Sequence, residues 1–169
     1  GRMIAAVIRD SINRLVDFKW GLIPAWTKDP SIGYKMINAR AETVSEKPSF
    51  RQAFRKRRCL IVADGFYEWK QEAGRKTPMR FYLKSGEPFG LAGLYETWIL
   101  PGKDRVDTCT IITTDANELV ASVHDRMPVI VSKEKEASWI NPEYQDQKEL
   151  LAILKPYSVD EMAMAKASI

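Results

Sequence analysis

The only histidine of this 169-residue chain is His124, and it opens the charged segment His124-Asp125-Arg126-Met127-Pro128. An imidazole titrates near neutral pH, so His124 is the side chain best suited to give or take a proton. Upstream, Asp115 and Glu118 have the spacing of a helix capping box before an apolar stripe, which predicts a short helix ending at His124. The negative end of that helix would favour the imidazolium form of a general acid. The alternative is that His124 only caps the helix by bonding a backbone carbonyl.

A carboxylate among aromatic residues is the second candidate for proton transfer. Glu68 lies between Tyr67 and Trp69, with Phe66 two positions before it. Removing a carboxyl group from water raises its pKa, so Glu68 is a candidate general acid or base. Strand alternation also allows Glu68 to face solvent from an edge strand while the rings pack on alternate sides, and both interpretations stay open at this point.

The segment Asn38-Ala39-Arg40-Ala41-Glu42-Thr43 combines an amide, a guanidinium, a carboxylate and a hydroxyl with no apolar side chain larger than alanine. Such a segment has little to contribute to a core and much to contribute to a binding site. The alternative is that Arg40 and Glu42 simply pair on one face of a strand.

Two tryptophans, a glycine and a proline occur within the seven residues from Trp20 to Trp26. Proline and glycine predict an irregular loop there. At least one of the two indoles is therefore expected to be displayed on the surface.

Basic residues outnumber acidic ones, 26 to 22, for a formal net charge of +4, and they are densest from Arg51 to Arg58, where five of eight positions are basic. This clustering indicates a polyanionic partner, of which nucleic acid is the commonest. The alternative is a helix face that is merely solvated.

The composition excludes several other classes of protein. With 45% hydrophobic residues, the sequence has no uninterrupted apolar run of about 18 residues and no signal-peptide pattern, so we expect a cytoplasmic protein with no membrane span. Cys59 and Cys109 stand in apolar, strand-like surroundings and are expected to be buried free thiols. The sequence indicates no disulfide, no metal site and no cofactor.

The remaining residues predict the elements that must position these side chains. Runs of apolar and β-branched residues between turn signals predict strands at 3–9, 14–20, 58–63, 66–70, 79–83, 89–98, 108–114 and 128–131. Helices are expected at 48–54, before His124, after Ser132 and from Asp146, and the tail after Tyr157 is expected to be loosely ordered. The sum is a single α+β domain over residues 1–169, a curved and mostly antiparallel sheet or barrel with a few peripheral helices.

Four segments in chain order resemble the SRAP family, the SOS response-associated peptidase family, whose members process abasic sites. They are Trp20–Trp26, Asn38–Thr43, Ala63–Trp69 and His124–Pro128. Each motif is weak alone, whereas four in order at these spacings are specific, and the resemblance covers essentially the whole chain.

The resemblance implies covalent capture of abasic sites in single-stranded DNA, a lyase-like activity, with self-processing by a peptidase step. In that family an amino-terminal cysteine attacks the deoxyribose aldehyde with its amine and thiol to leave a thiazolidine. Opening the sugar and expelling water both need proton transfer, which the resemblance gives to Glu68 and His124. Asn38 would hold the sugar or the linkage.

The resemblance also implies which residues bind the DNA. Arg40 and Arg126 would bind flanking phosphates bidentately, and Thr113 would donate to the same backbone. Trp20 and Trp26 would offer faces on which bases stack, a contact worth about 1–3 kcal/mol per base. We therefore expect a monomer that binds single-stranded DNA containing abasic sites in the cytoplasm, associated with the nucleoid.

One departure from the family concerns the start of the chain. The family begins Cys-Gly-Arg-Phe, whereas this sequence begins Gly1-Arg2-Met3. We expect that the sequence lacks the segment with the catalytic cysteine, because the rest of the site is present and a clipped sheet would expose an apolar strand edge. Cys59 and Cys109 are no substitutes, since a thiazolidine needs the α-amine and thiol of one terminal cysteine.

Two other functions stay open on the sequence. One is a single-strand nucleic-acid binder that uses the basic cluster and the indoles without chemistry. The other is a cysteine peptidase using Cys109 and His124, which is disfavoured because no helix N-terminus or cation stands beside Cys109 in the sequence to lower its pKa.

Overall fold

The fold is built on long strands whose sheet curves until its two ends meet. The computed structural model describes residues 1–102 and 104–169. Its strands are β1 (Met3–Arg9), β2 (Asn13–Trp20), β3 (Asn38–Arg40), β4 (Arg58–Ala63), β5 (Phe66–Glu72), β6 (Arg75–Leu83), β7 (Phe89–Ile99), β8 (Arg105–Asp115), β9 (Arg126–Pro128), β10 (Ile130–Val131) and β11 (Met162–Lys166). Its α-helices are α1 (Arg51–Lys56), α2 (Glu118–Ala121), α3 (Lys133–Ile140) and α4 (Gln147–Ile153), with 3-10 turns at Pro30–Lys35 and Val159–Glu161.

Strand pairing closes a barrel. The order β7-β4-β1-β2-β8 returns to its start because β8 also pairs with β7. Only the pairs β2–β8 and β3–β8 are parallel among the described residues, and the rest are antiparallel. The α+β class and the mostly antiparallel, barrel-like sheet expected from the sequence are therefore confirmed.

The barrel strands are covered on both faces. Leu60, Ala92 and Ile112 pack with the helices, in a cluster that contains Phe54 and Trp139. Their neighbours along the same strands point the other way and pack in a second cluster. That second cluster includes Cys59 and Cys109, which are buried free thiols as predicted. None of the helices in residues 1–102 and 104–169 is long and apolar enough to cross a membrane.

A second sheet holds the chain's end. Strand β11 pairs with β6 from Met162↔Leu83 to Lys166↔Met79, and β6 pairs with β5. The prediction of a loosely ordered tail after Tyr157 is wrong. Met162 is buried, and the Asn117 side chain donates both to its sulfur and to the carbonyl of Tyr157, so this segment is fixed against the body.

Two helix predictions need correction. Helix α1 begins at Arg51 rather than Pro48, because overlapping turns fill the preceding residues; Lys47 already donates to the Thr43 carbonyl. Helix α2 covers only Glu118–Ala121, and Asn117 rather than Asp115 caps it by accepting from the Val120 amide at 3.0 Å. The same capping-box spacing at Asp146 does start α4, as predicted.

One buried cation joins the helices to the barrel. Arg58, 3% exposed, begins β4 and donates to five backbone carbonyls. The acceptors are those of Trp139 (2.6 Å), Phe54 (2.8 Å), Arg55 (2.9 Å), Asn141 (2.7 Å) and Tyr144 (2.8 Å). Burial lowers the pKa of this guanidinium to about 10. Arg58 thereby satisfies the carbonyls at the C-terminal ends of α1 and α3.

Replacing Arg58 with methionine should lower the free energy of unfolding by about 3–5 kcal/mol, because five backbone carbonyls lose their hydrogen-bond donor and methionine offers none in its place. Urea denaturation monitored by tryptophan fluorescence measures this. The matched control is Arg51→Met, at an exposed helical arginine without an ion pair among the described residues. It should change stability by less than about 0.5 kcal/mol. Equal effects of the two substitutions would mean that the hydrogen bonds of Arg58 do not stabilise the fold as predicted.

Candidate functional site

Polar residues of three neighbouring strands meet on one surface of the sheet. Strand β3 pairs with β8 so that Asn38 lies beside Ile111 and Arg40 beside Thr113. Ala39, between them, is buried. Since side chains alternate along a strand, Asn38 and Arg40 share the opposite, exposed side. On the other side of β8, Asp115 lies beside Arg126 of β9.

An ion-pair cluster holds this surface together. The two terminal nitrogens of Arg126 bind the two carboxylate oxygens of Glu42, each at 2.9 Å. Nη1 also binds Asp115 at 3.0 Å, and Nη2 donates to the Thr113 carbonyl at 2.9 Å. The Arg126 hydrogen bonds lower the pKa of Glu42. The Arg126 side chain is only 12% exposed, and its predicted role as a phosphate ligand stays a prediction.

Arg40 is the accessible guanidinium of the site. Its side chain is 61% exposed, and its Nε lies 3.8 Å from Glu42. The pairing of Arg40 with Glu42 considered from the sequence is thus present but loose, because Glu42 is held mainly by Arg126. The Thr113 hydroxyl accepts from Arg126 at 3.3 Å, which leaves its own proton for another acceptor.

The backbone around His124 orients its ring. Nδ1 of His124 lies 3.1 Å from the amide nitrogen of Arg126, from which an unprotonated Nδ1 accepts, and 3.2 Å from the carbonyl oxygen of Arg126, to which a protonated Nδ1 donates. His124 lies three residues after the last residue of α2, and its backbone amide donates to the Val120 carbonyl at 2.9 Å. The ring does not cap the helix; its backbone partners are the amide and carbonyl of Arg126. Nε2 makes no hydrogen bond to the described residues.

Glu68 lies close enough to His124 for the two charges to interact. Burial raises the pKa of Glu68, His124 opposes that rise, and Asp125 adds to it. Tyr67 and Trp69 are 52% and 49% exposed on the other side of β5. Glu68 therefore takes the more buried side of this edge strand and the two rings take the solvent side. This is the reverse of the solvent-facing alternative considered from the sequence.

The two tryptophans of this segment, Trp20 at the end of β2 and Trp26 in the loop that follows, differ in exposure. Trp20 is half-buried, and its indole donates to the Ile37 carbonyl at 2.7 Å, beside Asn38. Trp26 is 62% exposed, so one indole is displayed as predicted. The loop is anchored because Trp98 donates to the Thr27 carbonyl at 2.9 Å. Gly21 has a φ of +123° and lies against Gly33, where a side chain would clash.

Sequence reasoning missed the two carboxylates that hold Arg126. Glu42 was considered as a partner for Arg40, and Asp115 as a helix cap. The Glu42–Arg126 contact spans 84 residues of sequence and has no local signal. The pairing of Asp115 with Arg126 becomes visible only once β8 and β9 are recognised as adjacent strands.

The thiols and the acidic residues limit the chemistry of this surface. Cys109 is fully buried, and burial raises the pKa of its thiol to about 12, far from the thiolate that a nucleophile needs. Within residues 1–102 and 104–169, no group of three or more His, Cys, Asp or Glu side chains has the arrangement of a metal site. The side chains named here that could give or take a proton are Glu68 and His124, and their predicted role in proton transfer stays a prediction.

The raised pKa of Glu68 predicts that its ionised form destabilises the fold. The folded protein prefers the neutral acid, so this group adds stability below its unfolded pKa, and the contribution is lost as pH rises through the higher folded value. Glu68→Gln should therefore be more stable than the parent at pH 8, and the difference should shrink at pH 4. Thermal unfolding at both pH values tests this.

The matched control is Glu72→Gln on the same strand, where Lys70 lowers the pKa of the carboxyl. Its effect at pH 8 should have the opposite sign. The stability of Glu68→Gln is compared with that of the parent at each pH. If this difference favours the variant less at pH 8 than at pH 4, the raised pKa of Glu68 is contradicted.

Comparisons with known proteins agree on one family. The SOS response associated peptidase (SRAP) family matches residues 1–168. The abasic site processing protein YoqW of Bacillus subtilis (strain 168) is 53% identical over 167 residues, which cover 98% of this chain and 75% of that protein. The abasic site processing protein HMCES of Gallus gallus is 33% identical over 172 residues. The alignment covers 87% of this chain and 51% of HMCES.

The fold agrees with the sequence. An X-ray crystal structure of a protein from Bacteroides thetaiotaomicron matches with a TM-score of 0.91 at 32% identity, covering 99% of this chain and 74% of that one. Family match, close relatives and shared fold lead to one conclusion: the chain belongs to the SRAP family.

Proposed function

We propose that this protein senses abasic sites in single-stranded DNA and captures them covalently, as a thiazolidine formed by an amino-terminal cysteine. The observation that carries the proposal is that His124, whose charge interacts with that of Glu68, is joined through Arg126 to the surface of Arg40. His124 is bonded to the backbone of Arg126, whose side chain reaches Thr113, the neighbour of Arg40. Similarity to proteins named for abasic site processing supports the same conclusion.

The chemistry needs protons moved at defined steps. The abasic sugar is largely a closed hemiacetal, so exposing its aldehyde requires a proton on the ring oxygen and removal of one from the anomeric hydroxyl. The cysteine amine then adds to the aldehyde, water leaves to give an imine, and the thiol adds to the imine carbon to close the ring. Glu68 and His124 divide these transfers. Burial raises the pKa of Glu68, which favours the protonated form that a general acid requires.

The remaining site residues bind the strand in this proposal. Arg40, exposed and loosely paired, takes a phosphate beside the lesion, and the Thr113 hydroxyl donates to the same backbone. Asn38, also exposed, holds the opened sugar. Arg126 supports the phosphate site from beneath, and Trp26 offers an exposed ring for stacking. Trp20 fixes the loop beside Asn38.

The covalent step requires a cysteine that is the first residue of the chain. The two cysteines of the 169 residues are internal and buried. The start of β1 lies beside Trp20, whose amide donates to the Arg2 carbonyl at 2.7 Å. A cysteine introduced before Gly1 would therefore enter near the Trp20 and Asn38 end of the surface.

Denaturing gels test the capture. A version carrying the family's cysteine start ahead of this chain, and the chain beginning at Gly1, are each mixed with a single-stranded oligonucleotide that has one abasic site. We expect a heat-stable shifted band only with the cysteine start. The same oligonucleotide without the lesion is the control. No band from either version would leave a non-covalent single-strand binder, and equal affinity for intact and abasic strands would support that alternative.

The pH dependence of capture tests the division of labour. In the cysteine-start version, Glu68→Gln and His124→Ala should each slow cross-linking by about 10²–10⁴-fold, the usual contribution of a positioned acid or base. Each variant should lose a different limb of the pH–rate profile. Glu72→Gln serves as the control on the same strand and should leave the rate unchanged. Identical profiles for the two variants would mean that they are not a separate acid and base.

A further inference from the structure

Three residues of the basic cluster noted in the sequence, together with Lys47 just before it, are exposed cations that the site described above does not use. We call Lys47, Arg51, Arg55 and Lys56 the α1 patch; all four are exposed. None of them makes an ion pair within residues 1–102 and 104–169. The adjacent Arg57, by contrast, is neutralised by the buried carboxylate of Glu96. Four exposed cations thus have no ion-pair partner in the part of the chain that the structure describes.

These cations do not stand at positions where they would stabilise helix α1. Arg51 stands in the first turn of α1, at the positive end of the helix dipole, and that turn contains no acidic residue. Arg51 and Arg55 are four residues apart, so like charges lie on the same face, which destabilises a helix. At the other end, Arg58 already donates to the carbonyls of Phe54 and Arg55, so Arg55 and Lys56 are not needed there.

The patch is fixed relative to the candidate site. The amide of Ala41, next to Arg40, donates to the Thr113 carbonyl at 2.9 Å. Successive turns then lead to α1: the Thr43 amide donates to the Arg40 carbonyl, the Lys47 amide to the Thr43 carbonyl and the Arg51 amide to the Lys47 carbonyl at 2.8 Å. Val44 and Phe50 anchor this run in the core. The cations therefore continue from Arg40 along one rigid segment.

We propose that the α1 patch binds the backbone phosphates of DNA extending beyond the lesion, as an electrostatic contact separate from the site that holds the abasic sugar. Exposed arginines without internal partners are suited to phosphate, and such contacts carry no sequence preference. This inference rests on the proposed function, because it takes the strand at Arg40 as its starting point.

Salt dependence of binding tests the proposal. The chain beginning at Gly1 is titrated with single-stranded oligonucleotides that carry a central abasic site and either short or long arms, the long ones exceeding the roughly 4–16 nucleotides that a single-strand binding fold covers. With long arms, the double variant Arg51→Gln/Arg55→Gln should flatten the slope of log affinity against log salt by about 1.4, since each single-strand phosphate contact contributes about 0.7. Between 50 and 200 mM salt the parent should lose about 7-fold more affinity than the variant.

The matched control is Arg75→Gln/Lys76→Gln, which removes the same charge from the two exposed residues that begin β6. Its slope should equal that of the parent. With short arms, the variant in the α1 patch should bind like the parent. An unchanged slope with long arms, an equal change in the control, or an equal loss with short arms would each overturn the proposal.

Failure of the proposed function gives a different result. In that case the short oligonucleotide would bind equally with and without the lesion. The slope difference between parent and variant can still be measured on an intact long strand, so the two proposals fail independently. Far-UV circular dichroism of both double variants confirms that helix and sheet are retained.

Discussion

The structure depends on one strand that hydrogen-bonds to four others. A strand has two edges, and β8 uses the length of both: β7 and then β9 along one, β2 and then β3 along the other. The first half of β8 closes the barrel. Its second half contains Thr113 and Asp115, and it lies between β3, which contains Arg40, and β9, which contains Arg126. The register that closes the barrel therefore also sets the site. A slip of one residue would turn Thr113 into the core and the buried Ile112 out to solvent.

Two carboxylates of the candidate site have opposite environments. Glu42 meets the permanent charge of Arg126, which lowers its pKa and keeps it ionised as a fixed partner. Glu68 is half-buried and its nearest cationic influence is His124, so burial dominates and its pKa rises. When two acids lie in environments that shift their pKa values in opposite directions, one stays ionised as a structural charge and the other can carry a proton. The opposite pKa shifts of Glu42 and Glu68 follow from their positions alone, because both residues are glutamates.

The sequence predicted what is local and missed what is distant. Apolar and β-branched runs located every barrel strand, and burial of Cys59 and Cys109 followed from their neighbours. The capping-box spacing succeeded at Asp146 and failed at Asp115, because Asp115 ends β8 opposite Arg126 and local spacing does not reveal that pairing. Strand β11 was missed for the same reason, since its partner β6 lies about 80 residues earlier. The residues proposed for the site were found through a resemblance to a family, whereas the contacts that hold them came from the structure.

The cluster around Arg126 bears on how the protein would attract DNA. Two guanidiniums, Arg40 and Arg126, face two carboxylates, Glu42 and Asp115, so the cluster has no net charge. A neutral cluster can orient a phosphate through hydrogen bonds, but it exerts little attraction at a distance. Long-range attraction then has to come from cations elsewhere, and the α1 patch supplies four that form no ion pair with the residues the structure describes. In our proposals, recognition of the lesion and attraction of the strand are therefore tasks of different residues, joined by the rigid turns between Arg40 and Arg51.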